Sequence, residues 1–276
     1  MKIKALVPGW YGGNRMGAER VGELLRGCEW VGVACVGGFS EVRCIESRTI
    51  LVNDTNLHLM NLARVAAHPV YGAKLWRRLR RVMFDAETLG RAQQRCRDIE
   101  SSYGDINVVW EAMLDWAINY FICATMGRNG TAGTKNELKA GISVRYNASG
   151  GDSVVRFRGA IDGLRDWRNI LSRCQFCTDD IFDFLDKCHD KQGHGVYVDC
   201  PWPDDGKNYR GDFDEAKQRK LASRLECFDH ARVVVRFGDH PLVRELYPVN
   251  RWNWIEVVRR TQANKDKAEG LLTRNM

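Results

Sequence analysis

WVGVACVGGFSEVRCIESRTILVND, residues 30–54, sets the reading of the rest of the chain. An apolar run from Trp30 stops at Gly37-Gly38, a helical pattern follows, and a second run, TILVN, stops at Asp54. Short, continuously apolar runs bounded by turn residues suit strands buried on both faces. Such strands belong to a largely parallel sheet whose crossovers are helices, and ligands of these sheets bind at the carboxyl ends of the strands. Glycines after the first strand let a ligand approach the backbone, and an acid about 20 residues on accepts hydrogen bonds from ribose hydroxyls. Gly37, Gly38 and Asp54 are therefore candidates for holding an adenosine-type cofactor.

Working outward, a helix (AERVGELL, 18–25) precedes the first strand, and strands and helices alternate again from about residue 160. A helix over GAIDGLRDWRNILSRC leads to the strand CQFCT, then Asp179, Asp180 and another helix. VYVDC is the next strand. The helix EAKQRKLASRL precedes ARVVVRF, and WIEVVRR and GLLTRN close the sheet. The alternation predicts an α/β fold, Rossmann-like, mainly parallel, with helices on both faces. Asp54, Asp179 or Asp180, and Asp199 are the acids expected at its strand ends.

Residues 66–153 change character and read as an inserted, largely helical lobe, leaving 1–65 and 154–276 as the main domain. DINVVWEAMLDWAINYFICATM (105–126) is apolar except for Glu111, Asp115 and Asn119, four apart on one stripe, and is expected to be the lobe's core helix. The turn signal Ser149-Gly150-Gly151 separates two alternating runs, so a basic hairpin is expected with Arg145 on one arm and Arg156 and Arg158 on the other. No repeat or low-complexity tract is present.

Composition bounds the function classes. The chain has 276 residues, 44% hydrophobic and 28% charged, and no uncharged apolar stretch near the roughly 18 residues of a membrane span. The start, MKIKALVPGWYGG, lacks a secretory apolar region. Ten cysteines spread through strands and helices read as reduced thiols rather than a disulfide framework, which points to the cytoplasm. Net charge is +7, and Lys74–Arg97 carries eight basic residues against Asp85 and Glu87. That segment suits either a solvated helix face or a polyanion contact.

The strand VYV ends in Asp199-Cys200-Pro201-Trp202. An aromatic exocyclic amine is a poor nucleophile because its lone pair is delocalised into the ring, and acceptors aimed at both hydrogens help return that pair to nitrogen. Asp199 supplies one acceptor and the Cys200 main-chain carbonyl the other. Pro201 stiffens the turn and brings no competing donor. Trp202 offers a stacking face, worth about 1–3 kcal/mol per base in single-strand binders. The arrangement suits a base rotated out of its duplex.

Other chemistries find little footing. No GxxxxGK[ST] phosphate loop and no GxSxG elbow occur. Cys174, Cys177, Cys188, His189 and His194 have zinc-ligand types, but strand alternation points Cys174 and Cys177 to opposite faces, so no metal is expected. His58, His68, His230 and His240 read as structural.

Together these stretches resemble, in matching order over most of the chain, the Dam-type DNA adenine methyltransferases, which use S-adenosylmethionine. GWYGGNR (9–15) resembles the family's methionine-binding motif, with Asn14 where a lysine is usual; VGVACVGGFSEV resembles its glycine turn, with Val33-Ala34 for Glu-Pro; LVNDTN resembles its ribose-binding segment. CTDDIF is similar to the segment lining the cofactor's adenine. DCPW is similar to the catalytic Asp-Pro-Pro-aromatic motif, and YRGDFDEAKQRKLASRL, VVVRFGDHPLVRELYP and GLLTRN also resemble family stretches. The resemblance implies cofactor contacts at Trp10, Gly12, Gly13, Asn14, Arg15, Gly37, Gly38, Asp54, Asp180 and Asp199, and catalysis by Asp199, Cys200, Pro201 and Trp202. It implies a target-recognition lobe in 66–153, with GRNGTAGTKNE among its DNA loops and DNA contacts at Arg77, Arg78, Arg81, Arg128, Asn129, Lys135 and Arg145. The expected partner is double-stranded DNA, met by a monomer without metal or membrane. Trp202 also resembles an Asp-Pro-Pro-Trp version found in RNA adenine methyltransferases. A binder that has lost catalysis is the other alternative.

Overall fold

β-Branched runs make the strands, and their pairing makes a single seven-stranded sheet. The strands are β1 (Trp30–Ala34), β2 (Thr49–Asn53), β3 (Cys174–Cys177), β4 (His194–Val198), β5 (Arg232–Gly238), β6 (Asn253–Arg260) and β7 (Asp266–Arg274), in the order β3-β2-β1-β4-β5-β7-β6. The computed structural model describes residues 4–102, 109–128, 130–144, 152–204, 206–211, 213–260 and 266–276, the side chains of 258–260 and 266–268 excepted. β3, β2, β1, β4 and β5 pair in parallel, and β7 runs antiparallel to both of its neighbours. The α/β alternation read from residues 30–54 and 160 onward is thus borne out as a mostly parallel mixed sheet flanked by helices, compatible with a Rossmann-like fold.

The chain divides into two compact units. The first comprises Met1–Gly13, Gly37–Arg43 and Asn56–Arg173; the second comprises Asn14–Val36, Cys44–Thr55 and Cys174–Met276 and holds the sheet. These bounds differ from the cuts at 65/66 and 153/154 drawn from composition.

In the sheet unit, strand alternation sorts side chains to two faces. Val196, Val198, Val233, Val235 and Phe237 form one face. They bury Phe184 of α7 (Ile181–Lys187), Leu221 and Leu225 of α8 (Glu215–Glu226) and Val243 of α9 (Pro241–Leu246). On the other face, the chain just past α1 (Ala18–Leu24) lies so close to β4 that a Cβ at Gly195 would come within 2.7 Å of Leu25. Helix starts are fixed by acids: Asp180 and Asp214 accept from Phe182 N and Lys217 N at 2.9 Å.

The other unit is a helical cluster of α2 (Leu57–Ala67), α3 (Tyr71–Leu79), α4 (Ala86–Ser101), α5 (Trp110–Met126) and α6 (Ser153–Leu171). α5 is the apolar helix expected there, burying Leu114, Ala117, Tyr120 and Phe121, and its polar stripe meets basic partners: Glu111 pairs with Lys74 and Asp115 with Arg95. His58 is buried, accepts from Trp116 Nε1 at 2.6 Å and lies 2.8 Å from Glu100. Its ring is held between these two partners.

Two expectations are corrected. The residues read as the second arm of a basic hairpin, with Arg156 and Arg158, lie in α6; the run 145–151 lies outside the described residues. Asp152 caps α6 through Val155 N at 2.8 Å, and Phe157, Ala160, Ile161 and Leu164 recur at helical spacing, so a 3.6-residue period overrides the short alternation. After Gly38, the helical pattern yields only a 3₁₀ turn at Val42–Cys44. Among the described residues no helix is long and apolar enough to cross a membrane, and no group of three or more His, Cys, Asp or Glu is placed to hold a metal.

The turn entering β5 is stapled by Asp190, whose carboxylate accepts from the backbone N–H groups of Asp229, His230 and Ala231 at 2.9, 2.8 and 2.7 Å. Burial opposes ionisation, but these donors hold its pKa below the ordinary carboxylate value. The folded-state value is depressed, so the stabilisation is present above the unfolded pKa and fades as pH falls through the folded one. Asp190→Ala is expected to cost about 1–2 kcal/mol at pH 7. Thermal melts from pH 7 to pH 2 should show the gap to wild type closing in acid.

Candidate active site and nucleic-acid face

The sheet changes direction between β1 and β4. β2 and β3 lie on one side of β1, while β4 and β5 continue on the other, which makes the carboxyl ends of β1 and β4 the switch-point crevice where ligands of such sheets bind. Register brings the strand ends level, with Ala34 opposite Val198 and Asn53 opposite Cys177. Asp54 follows β2, Asp179 and Asp180 follow β3, and Asp199 follows β4. The strand-end acids expected from the sequence therefore lie along one edge of the sheet unit.

Their environments differ. Asn53 ties β2 to the β3 end by a two-way bond, its Oδ1 accepting from Asp179 N at 2.9 Å and its Nδ2 donating to Asp179 O at 3.1 Å. Asp179 pairs with Lys187 at 2.6 Å, a hydrogen bond that lowers its pKa. Asp180 is spent as the cap of α7. Asp54 stays half-buried.

Asp199 is held at both carboxylate oxygens. Its Oδ2 accepts from Arg236 Nη1 at 2.7 Å and lies 3.5 Å from the Tyr197 hydroxyl; its Oδ1 accepts from Trp202 Nε1 at 3.3 Å. Arg236, 2% exposed, also donates from Nε and Nη2 to Glu269 Oε2 at 3.1 and 2.9 Å. Its guanidinium lies over the Trp202 ring, 4.9 Å from the centroid. The same indole covers Gly238, where a Cβ would come within 2.8 Å of the ring, so Trp202 is laid along β5. Burial raises the Asp199 pKa, Arg236 pulls it back, and Glu269 pushes it up again; the net direction is upward.

The backbone after Asp199 is also fixed. The Pro201 carbonyl accepts from Gln218 Nε2 at 2.8 Å and the Trp202 carbonyl from Gly206 N at 2.8 Å. Among the described residues the Cys200 carbonyl accepts no hydrogen bond. The Cys200 thiol is buried and lies 3.2 Å from Cys35 Sγ, just past β1; burial first, then Cys35, pushes the Cys200 pKa well up.

Asn14 is buried in the same unit. Its Oδ1 accepts from Gly17 N at 2.9 Å, its Nδ2 has no partner among the described residues, and with Gly17 it lines a small cleft beside Arg236, Glu269 and Leu271. Arg15 is exposed. Trp10, Gly12, Gly13, Gly37 and Gly38 belong to the helical unit. There it is the Trp10 indole that approaches the glycines: a Cβ at Gly37 would come within 2.7 Å of its Nε1, and one at Gly133 within 2.5 Å of its ring. Gly37 and Gly133 also have φ of +51° and +82°. Backbone bonds from Tyr11 N to Ala132 O and Gly130 N to Gly9 O, each 3.0 Å, bind this segment to the 130–133 loop.

Charge divides unevenly between the units. The helical unit carries 21 Lys and Arg against 12 Asp and Glu, and the sheet unit 21 against 23. Within the basic segment, Lys74, Arg91 and Arg95 are ion-paired, whereas Arg77, Arg78 and Arg81 have no ion-pair partner among the described residues. Arg128 and Lys135 are exposed; Asn129 and Arg145 lie outside the described residues. Sequence reading missed Arg236, Glu269 and Cys35. A lone charge inside VVVRF was the available signal for Arg236.

No protein-family model matches the chain, and no curated protein matches it in sequence.

Gly133→Ala is expected to cost about 1–3 kcal/mol by driving into Trp10. In a denaturant double-mutant cycle with Trp10→Ala, the two changes should be non-additive by about 0.5 kcal/mol or more. Additivity would separate the glycine from the indole.

Proposed function

We propose that the protein transfers a methyl group from S-adenosylmethionine to the exocyclic amine of adenine in duplex DNA, acting on a base turned out of the helix. The reading rests on one arrangement. At the switch-point end of β4, a carboxylate oxygen whose one bond among the described residues is the long one from Trp202 Nε1 is followed by a main-chain carbonyl with no partner among them. Two such acceptors on consecutive residues suit the two hydrogens of an NH2 group.

The residues of the sheet unit fit the cofactor's polar ends. Asp54 stands at the end of β2, where ribose hydroxyls are bound in such sheets, and the Nδ2 of buried Asn14 is a donor without a protein acceptor among the described residues. When bound, S-adenosylmethionine supplies a methyl already activated by its sulfonium. The chain's share is alignment and charge. Asp199 Oδ1 and the Cys200 carbonyl hold the amine hydrogens, localising the nitrogen lone pair. As positive charge grows on that nitrogen, the ionised Asp199 stabilises it and takes up the released proton. Half-buried Trp202 supports the base plane.

Charge supports the choice of partner. Excess positive charge resides in the helical unit, and Arg77, Arg78 and Arg81, held in no ion pair among the described residues, suit phosphate binding.

Asp199→Ala should lower transfer of labelled methyl to mixed-sequence duplex by about 10²–10³-fold or more, with duplex affinity unchanged. Near-normal turnover would overturn the role of Asp199. RNA in a parallel reaction tests the competing substrate, and binding without any transfer by the wild type would favour a non-catalytic binder. Because burial raises the Asp199 pKa and the carboxylate must be ionised, activity should fall as pH drops through a value above the ordinary aspartate one. Reversing Arg77, Arg78 and Arg81 to Glu should flatten the plot of log affinity against log salt by about 0.9 for each phosphate no longer neutralised. An unchanged slope would return these residues to a solvated face.

A further inference from the structure

Arg236 carries a buried charge within the sheet. It stands between Val235 and Phe237 in the middle of β5, is 2% exposed, and brings two carboxylates into the interior with it. Taking such charges out of water costs several kcal/mol per ion, and apolar replacements of similar volume are often neutral or stabilising. A buried ion pair is thus a poor source of stability, whereas geometry offers a reason. Two of the guanidinium's N–H groups converge on Glu269 Oε2, which fixes the plane and leaves Nη1 directed at Asp199 Oδ2. The same plane supports the Trp202 indole, whose Nε1 meets the other Asp199 oxygen.

We propose that Arg236, oriented by Glu269, is the positioning residue of this site, clamping the Asp199 carboxylate by its edge and the Trp202 ring by its face. The proposal rests on Asp199 being the amine acceptor and adds what sets that acceptor in place. With Oδ2 anchored, Oδ1 is presented together with the Cys200 carbonyl. The charge count also fits: two carboxylates around one guanidinium leave a single negative charge, matching the single positive charge that develops on a methylated amine. Without Arg236 the two acids would face each other and one would take up a proton. Without Glu269 the Arg236–Asp199 pair would be neutral, and the guanidinium would lose its orienting partner. The groups facing Asp199 are Tyr197 and Cys200 on its own strand and turn, Trp202 beyond them, Arg236 on β5 and Glu269 on β7; Cys35 and Asp54 adjoin Cys200.

The test follows the Asp199 carboxyl directly in the full chain labelled with [13Cγ]aspartate, the signal being assigned by its loss in Asp199→Asn. Glu269→Gln should lower its titration midpoint, because a neighbouring negative charge is removed. Arg236→Met should raise it by at least one pH unit, and Arg236→Lys should fall between Arg236→Met and wild type. The acid limb of methyl transfer should move with these midpoints, and Arg236→Met should lower kcat by about 10–100-fold with KM for duplex DNA unchanged. Should Arg236→Met fail to fold, Glu269→Gln and Arg236→Lys decide the outcome. Midpoints that coincide in all variants, or that rise in Glu269→Gln, overturn the clamp. If the midpoints shift as stated but the wild type transfers no methyl at any pH, the clamp stands and the methyl-transfer reading falls. Transfer by the wild type with unmoved midpoints sinks the clamp alone.

Discussion

Parallel pairing in register is the constraint on which the site depends. Strands that run the same way and begin level also end level, so residues far apart in sequence arrive at one edge without any direct attraction between them. Ala34 opposite Val198 and Asn53 opposite Cys177 bring Asp54, the Asp179-Asp180 pair and Asp199 to that edge across about 145 residues of chain. The same pairing creates the switch point between β1 and β4, because β2 takes one side of β1 and leaves the other for β4. A carboxylate there is close to backbone ends that no longer pair with a neighbouring strand. This is the setting in which a carbonyl without a partner among the described residues, such as that of Cys200, persists without loss of a ladder bond.

That constraint also governs what was legible in the sequence. Continuous apolar runs such as WVGVA, TILVN, VYV and VVV specify buried strands by themselves, and the acids that end TILVN and VYV, Asp54 and Asp199, are visible where those runs stop, so the sheet and these edge acids are legible in the sequence alone. The 153–158 run failed for a reason of the same kind. SVVRFR alternates over a short window, yet the capping bond from Val155 N to Asp152 and the longer period through Trp167 outweigh it. The Gly37-Gly38 turn was legible as a tight approach, but not what makes the approach. Trp10 lies 27 residues before Gly37, and only the fold puts its indole there.

Arg236 and Glu269 mark the limit of such reading. A charged residue inside VVVRF signals something unusual, since a lone buried guanidinium is too costly to stand unpaired. Its partners lie 37 residues before it and 33 after, at the end of β4 and on β7, and nothing local names them. β7 runs antiparallel to β5, and it delivers Glu269 beside that strand because Gly238 and Glu269 are opposed in the ladder while Arg236 faces Leu271. The reversal is therefore part of the site. A strand inserted in the other direction would present a different residue to the guanidinium.

The division of charge suits the different tasks that the proposed function gives the two units. A surface that meets a polyanion gains affinity from each unpaired cation, since every phosphate neutralised releases counterions. A pocket that must hold a carboxylate ionised beside a second carboxylate gains nothing from a general positive field and needs one cation at a fixed point. The helical unit has the first character, with nine more basic than acidic residues, and the sheet unit the second, near neutrality with Arg236 buried between two acids. On the proposed function, cations placed broadly in one and singly in the other would let affinity for a nucleic acid vary with salt while buried Asp199, little reached by salt, does not. On that proposal the pH response of the site and the salt response of binding are set by different residues, and each can be changed without moving the other.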